Sequence, residues 1–383
     1  MKKINALDLP ISNEERESIH EQIDSILNSK NKWTNSSTVE SVENEFAKNV
    51  NSKFAIAIST GSTAIEAMLI ALEMENAIIF APVLTAPPTI LSCLNMKSKI
   101  ILVDADKNDF GMDLNDLEKK IKLYRKNDEK AIIIYVHIGG FISSNIYKIK
   151  ELADKNKITL LEDCAHAHGA ILDSKHAGTF GIAGTYSFFL TKTITSGEGG
   201  IIITEDEEIA RKLHMIRNYG KSDKGLHVIK GSSWRMNEFT AAILLSQIKK
   251  CNENYDRRKE IANIYNERLK NSSLLEPITN LNSGYYKYII IIKENAKFDY
   301  LDFKQYMQIH NIQMPAKVYD NLVSEEPYIQ KCFDTVLNVE DIFEKAVYLK
   351  NHHICLPMHL GLSDEDIKYV CETIEKYISE RGV

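Results

Sequence analysis

The sequence predicts an α/β fold with a mainly parallel central sheet flanked by helices, followed by a smaller α+β region. Three observations carry that expectation. Strand-like and helix-like stretches alternate over roughly two hundred residues. Several strand-like runs, such as Ala131-Ile-Ile-Ile-Tyr-Val136, are continuously apolar, which suits strands buried on both faces. With 383 residues, 44% hydrophobic and 26% charged, the chain can bury a large core and form more than one domain. We expect a division into residues 1–250 and 251–383, with the N-terminal helices able to pack on the smaller part.

In chain order, residues 13–29 carry Ile19, Ile23, Ile26 and Leu27 at helical spacing behind the capping sequence Ser12-Asn13-Glu14-Glu15. A linker with Trp33 precedes a second helix over 38–50. Phe54–Ile58 reads as a strand, 59–63 as a turn of small residues, and 64–72 as a helix. Strand-like 77–80 leads through the 82–88 loop into a short helix ending at Leu94. Lys99–Val103 is a strand ending at Asp104, 113–123 is helical, and Ala131–Val136 is the buried strand. Residues 146–156 are helical and 158–161 form another buried strand. From Asn237 one long helical pattern runs toward Leu269. Residues 285–292, with helical 300–311 and 364–378, give the smaller α+β region. The sequence contains no internal repeat and no low-complexity segment.

A net charge of −6 and a pI near 6.0 give no general attraction to nucleic acid or acidic membranes, so a small-molecule partner is expected. The six cysteines are far apart and form no Cys-x-x-Cys pair, which fits reduced thiols in the cytoplasm. The N-terminus lacks an apolar signal core, and no run approaches the ~18 apolar residues of a membrane span.

The chemistry gathers around Lys192, set between the aromatic-apolar run Tyr186-Ser-Phe-Phe-Leu and the glycine-rich turn Gly197-Glu-Gly-Gly200. If its side chain points inward it is there for chemistry, because an ammonium is costly to bury unpaired. A neutral lysine is a nucleophile whose usual use is a Schiff base, most commonly with pyridoxal phosphate. The Gly61-Ser62-Thr63 turn opens a helix, and its amides and hydroxyls suit a phosphate. In Glu162-Asp163-Cys164-Ala-His166-Ala-His168, two carboxylates follow a buried strand, where ligands bind in such folds. Two functional readings compete. Asp163 can pair with a protonated pyridine nitrogen. Alternatively Cys164, His166 and His168 with a carboxylate can hold zinc, although their spacing is poor and no second ligand pair lies nearby. One cofactor explains Ser62-Thr63, Asp163 and Lys192 together: pyridoxal phosphate, with Ser187 as a further phosphate hydroxyl and no metal.

The chain resembles the DegT/DnrJ/EryC1/StrS sugar aminotransferases, which have the fold-type-I architecture. The resemblance lies in Gly61-Ser-Thr-Ala64, Leu102-Val-Asp104, Tyr135-Val-His-Ile-Gly139, Glu162-Asp-Cys-Ala-His-Ala-His-Gly-Ala170, Gly178-Thr-Phe-Gly181, Ser187-Phe-Phe-Leu-Thr-Lys192, Gly197-Glu-Gly-Gly200, Arg217-Asn-Tyr-Gly220, Trp234-Arg-Met-Asn-Glu238 and Leu356-Pro-Met-His-Leu-Gly-Leu-Ser363. It implies that Lys192 bonds the cofactor aldehyde and shuttles the proton, with pyridoxamine phosphate carrying the amino group between half-reactions. It also implies that Asp163 pairs with the pyridine nitrogen and that Ser62, Thr63 and Ser187 hold the phosphate. His166 stands where the family most often has glutamine beside the phenolic oxygen. The implied reaction moves an amino group from glutamate or glutamine to a keto-sugar, nucleotide-linked in many members, or to a keto-cyclitol. A homodimer with active sites at the interface is also implied. Relatives that act as dehydratases have histidine in place of the lysine, which Lys192 argues against.

Two positions depart from the family. Ala86 stands where an aromatic ring usually stacks on the cofactor, and Ser233 where asparagine commonly reaches the neighbouring subunit's cofactor. Two rival functions follow: a pyridoxal-phosphate-dependent sugar lyase or dehydratase, and a noncatalytic sugar-binding or regulatory protein. The 141–146, 221–232 and 315–320 loops are candidates for holding the acceptor. Lys221, Lys224 and Lys230 can meet a diphosphate or form a solvated loop.

Overall fold

In the computed structural model, residues 3–30, 32–126, 129–279 and 282–381 are described. Their strands are β1 (Phe54–Ile58), β2 (Ile78–Pro82), β3 (Lys99–Val103), β4 (Ala131–Val136), β5 (Thr159–Asp163), β6 (Ile171–Leu172), β7 (Lys175–His176), β8 (Ala183–Ser187), β9 (Gly200–Thr204), β10 (Leu275–Pro277), β11 (Tyr288–Ile292) and β12 (His353–Leu356). The large sheet has the order β1-β9-β8-β5-β4-β2-β3. Its pairs from β8 to β3 are parallel, whereas β9 runs antiparallel to both β1 and β8. The sheet is therefore mainly parallel, as expected. The exception, β9, is a fully buried Gly-Ile-Ile-Ile-Thr strand that the sequence reading passed over behind its glycine-rich turn.

Around this sheet lie α1 (Asn13–Asn28), α2 (Ser37–Asn49), α3 (Gly61–Ala71), α4 (Pro87–Leu94), α5 (Leu114–Tyr124), α6 (Ile146–Lys155), α7 (Glu207–Ile216), α8 (Glu238–Lys249) and α9 (Cys251–Leu269). Local chemistry sets several starts. Ser12 and Glu15 form a capping box on α1, Asp113 and Asp206 cap α5 and α7, and Pro87 and Pro88 occupy the first turn of α4. The single helix expected over 237–269 is two. The backbone leaves helical geometry at Lys250, whose N–H reaches Gln247 instead of continuing the ladder. The two parts face different neighbours: α8 packs on α1 and α2, and α9 packs on α13 (Asp364–Arg381).

The second sheet, β10-β11-β12, is antiparallel. The period of two along β11 divides its side chains between two cores. Tyr288, Ile290 and Ile292 join α9, α10 (Tyr300–Ile309) and α13 in one apolar cluster, which also takes in Ile4 from the N-terminus. Ile289 and Ile291 face the other way and pack with Leu102, Ile132 and Ile134 of the large sheet. Each such isoleucine contributes about 1.5–3 kcal/mol by burial, so the two sheets are held as one body along this seam. A second tie comes from Asp104 at the end of β3. Its carboxylate accepts the Ala346 N–H at 2.8 Å and the Lys345 N–H at 3.2 Å, capping the start of α12 (Glu344–His352), which follows the short α11 (Pro327–Gln330).

Candidate active site

The carboxyl ends of β1, β5 and β8 and the loop after β2 open onto a cavity of about 510 Å³, the place where such sheets bind ligands. Ser62, Asp163, His166, Ser187 and Lys192 all line it, and Thr63 does not.

The turn after β1 is shaped by a reciprocal cap. Thr60 Oγ1 accepts the Thr63 N–H at 3.1 Å, and Thr63 Oγ1 accepts the Thr60 N–H at 3.1 Å. Of the N–H groups that a helix leaves unpaired at its start, this satisfies two and leaves those of Gly61 and Ser62 at the positive end of α3. Thr63 thus holds the turn while Ser62 faces the cavity. Glycine permits two close approaches here. A Cβ on Gly61 would fall 2.7 Å from the Ser187 Cβ, and one on Gly200 2.4 Å from the Thr60 carbonyl oxygen. The result places the Ser187 end of β8 beside the helix start.

The buried strand runs two residues further than expected, so that the two carboxylates end β5, and they have separate roles. Glu162 is fully buried, accepting from the N–H groups of Gly178, Phe180 and Gly181 at 2.6–2.7 Å and pairing with His137 Nε2 at 2.8 Å. It holds the 178–181 turn. Asp163 points to the cavity, with one oxygen accepting from Thr89 Oγ1 at 2.9 Å and the other from the Ala165 N–H at 3.0 Å. Burial pushes its carboxyl above the usual range, partly opposed by those two bonds and by Lys192. A cation against Asp163 would relieve that cost.

Lys192 is half-buried, and burial lowers its pKa from the ordinary lysine value, with Tyr286 and Asp163 acting in the opposite direction. Its amine lies over the Tyr286 ring, 4.9 Å from the centroid. The buried His166 ring stacks on Tyr286 with centroids 4.1 Å apart, and its Nδ1 faces the Gly139 N–H at 3.4 Å. Burial and the nearby lysines hold this imidazole neutral, so its proton belongs on Nε2. Tyr319 reaches the side of the cavity at Ala86, where its hydroxyl interacts with Thr85 and the Ala86 backbone.

Two of these residues escaped sequence reasoning, and a third, Tyr319, was reached only through its loop, 315–320. Thr89 sits in the helix after the Ala86 loop, and only the fold brings it to Asp163. Tyr286 and Tyr319 come from the far side of the chain and carry no local pattern. Among the loops expected to hold an acceptor, 315–320 supplies Val318 and Tyr319, whereas Lys221 and Lys230 line other, separate pockets. Ser233 accepts a bond from Arg235 at 2.8 Å. The zinc set Cys164, His166 and His168 is not brought together. Among the described residues the one group with ligand spacing is His137, Glu162 and Cys164, and both Glu162 oxygens are already committed to backbone N–H groups.

The donor set fits pyridoxal phosphate: a helix start with two hydroxyls for the anion, a buried carboxylate for a protonated ring nitrogen, and a lysine of lowered pKa for the aldehyde. Relatives agree with that chemistry. The GDP-perosamine synthase of Escherichia coli O157:H7 is 28% identical over the whole of both chains. The dTDP-3-amino-3,6-dideoxy-alpha-D-galactopyranose transaminase of Aneurinibacillus thermoaerophilus is 28% identical over 88% of this chain and 90% of its own. Among solved structures, the E. coli GDP-4-keto-6-deoxy-D-mannose-3-dehydratase with bound hydrated PLP superposes with a TM-score of 0.86 at 26% identity, covering 97% of this chain and 99% of that one. Residues 13–375 match the DegT/DnrJ/EryC1/StrS aminotransferase family, and the chain belongs to it.

Proposed function

We propose that the chain is a pyridoxal-phosphate-dependent aminotransferase that takes the amino group of glutamate or glutamine and delivers it to the ketone of a sugar in amino-sugar biosynthesis. The GDP- and dTDP-linked names of its relatives favour a nucleotide-linked sugar over a cyclitol. The observation that carries the reading is the meeting of Lys192, Asp163 and the start of α3 on one cavity.

The residues divide the work. Ser62, Ser187 and the N–H groups of Gly61 and Ser62 hold the phosphate, and Thr63 acts through the shape of the turn. Asp163 keeps the ring nitrogen protonated, and Thr89 and the Ala165 N–H keep Asp163 in place. When bound, the cofactor supplies the electron sink for carbon–hydrogen bond breaking. Lys192 Nζ would hold the aldehyde by condensation with loss of water and, once the donor's amine displaces it, would serve as the base and acid that moves a proton between the two reacting carbons. His166, whose Nδ1 faces the Gly139 N–H, would donate from Nε2 to the cofactor's phenolic oxygen. The chain divides near residue 250 into cofactor-binding and smaller parts and works in the cytoplasm. It pairs with a second copy, for which the exposed Phe189 and Leu190 beside the cavity and Leu226 and Val228 on the 221–232 loop offer apolar surface.

The purified protein should be yellow and bleached by glutamate or glutamine, and Lys192→Ala should lose both colour and turnover. A colourless protein that takes up no added pyridoxal phosphate would sink the reading. The dehydratase among its structural neighbours motivates a second reading, a sugar dehydratase, in which no donor nitrogen enters the product.

A further inference from the structure

Tyr286 stands two residues before β11, in the part of the chain that contributes no strand to the large sheet. It nonetheless lies directly against Lys192. Its ring centroid is 4.9 Å from Lys192 Nζ, and its hydroxyl is 3.2 Å from Oγ1 of Thr191, the preceding residue. The same ring stacks on His166 at 4.1 Å and lies 5.5 Å from Lys287 Nζ. Its position is fixed from behind, because the strand that follows buries Ile289 and Ile291 against the large sheet.

We propose that Tyr286 is a positioning residue for Lys192: its ring steadies the ammonium form of the amine, and its hydroxyl anchors the lysine's loop through Thr191. The second sheet thereby sets where the amine stands and how readily it gives up its proton. This rests on the pyridoxal phosphate reading above.

The electrostatics follow from the groups that face the amine. Asp163 supplies the negative charge from β5, and Glu198 lines the cavity. Lys287, just before β11, opposes the ammonium, and His166 and His168 are neutral because burial lowers both, His168 to about 3. An aromatic face attracts an ammonium but not a neutral amine. Removing the ring while keeping an apolar side chain of similar bulk therefore shifts the balance toward the neutral amine. Removing only the hydroxyl leaves that balance alone and loosens the loop.

The test is the pH dependence with which protein stripped of cofactor takes up pyridoxal phosphate, followed by visible absorbance, for wild type, Tyr286→Phe and Tyr286→Leu. Wild type and Tyr286→Phe should share one half-maximal pH, with uptake a fewfold slower in Tyr286→Phe. In Tyr286→Leu the half-maximal pH should fall by about one unit. If Tyr286→Leu fails to fold by circular dichroism, Tyr286→Met takes its place with the same expected fall. An unchanged half-maximal pH without the ring would overturn the proposal, as would a Phe variant that shifts as far as Leu. Wild-type protein that takes up no pyridoxal phosphate overturns the cofactor reading instead, so the two failures are distinct.

Discussion

The cavity has two walls of different origin. One is polar and belongs to the large sheet, where Asp163 and Ser187 end strands and Ser62 and Lys192 follow strands within a few residues. The other is largely aromatic and comes from Tyr286 and Tyr319, brought in beside the second sheet. The polar wall is made by local geometry, since a strand end and a helix start expose directed donors and acceptors wherever they occur. The aromatic wall exists only because β11 packs one face on each core. Charged side chains therefore stand on the first wall, and aromatic rings face them from the second.

The largest expected effect lies on the polar wall. Asp163→Asn keeps the shape of the side chain but removes the charge that holds a ring-nitrogen proton, and turnover should fall about a thousandfold. Tyr319→Ala, on the aromatic wall at Ala86, should weaken cofactor affinity about tenfold, with the Ala86→Phe, Tyr319→Ala double variant recovering most of it. Equal losses in both single variants, measured by steady-state kinetics and cofactor titration, would erase the distinction between the walls.

Smaller effects separate the two hydroxyls of the α3 turn. Ser62→Ala and Ser187→Ala should each reduce cofactor affinity by about ten- to a hundredfold, the worth of a hydrogen bond to a charged group. Thr63→Ala should mainly cost about 1 kcal/mol of stability through the lost reciprocal cap, seen in thermal unfolding. An affinity loss in Thr63→Ala as large as that in Ser62→Ala would give Thr63 a direct part in phosphate binding.

One expectation belongs to neither wall alone, an acid limit on stability. Burial lowers His168 to about 3 and His353 to about 4, so the folded chain keeps both neutral. An unfolded chain protonates them near pH 6.5, and between there and about pH 3–4 it binds more protons than the folded one. Stability should fall as pH drops through that window, with Asp163, raised in the fold, partly offsetting the loss. Unchanged stability to pH 4 would place both imidazoles in contact with water.

The polar wall was legible in the sequence because Asp163 ends and Lys192 follows a recognisable strand, each in a distinctive neighbourhood. Asp104 was legible as a residue but not as a cap, since its partners Lys345 and Ala346 lie more than 240 residues away. The break at Lys250 was hidden because apolar spacing continues across it. Tyr286 could not be read from its surroundings: it meets Thr191 across 95 residues, and nothing in Gly284-Tyr-Tyr-Lys-Tyr distinguishes the ring that turns to the cavity from those that join the core. What packing decides over long separations leaves little trace in local pattern.

The central claim is amino transfer, and the most direct measurement follows the donor nitrogen. Protein loaded with pyridoxal phosphate is given glutamine or glutamate carrying heavy nitrogen, together with a panel of GDP- and dTDP-linked keto-sugars. The products are then weighed by mass spectrometry. Wild type should form an amino-sugar that carries the label, and Lys192→Ala should form none. A sugar product that has lost water and carries no labelled nitrogen would contradict it.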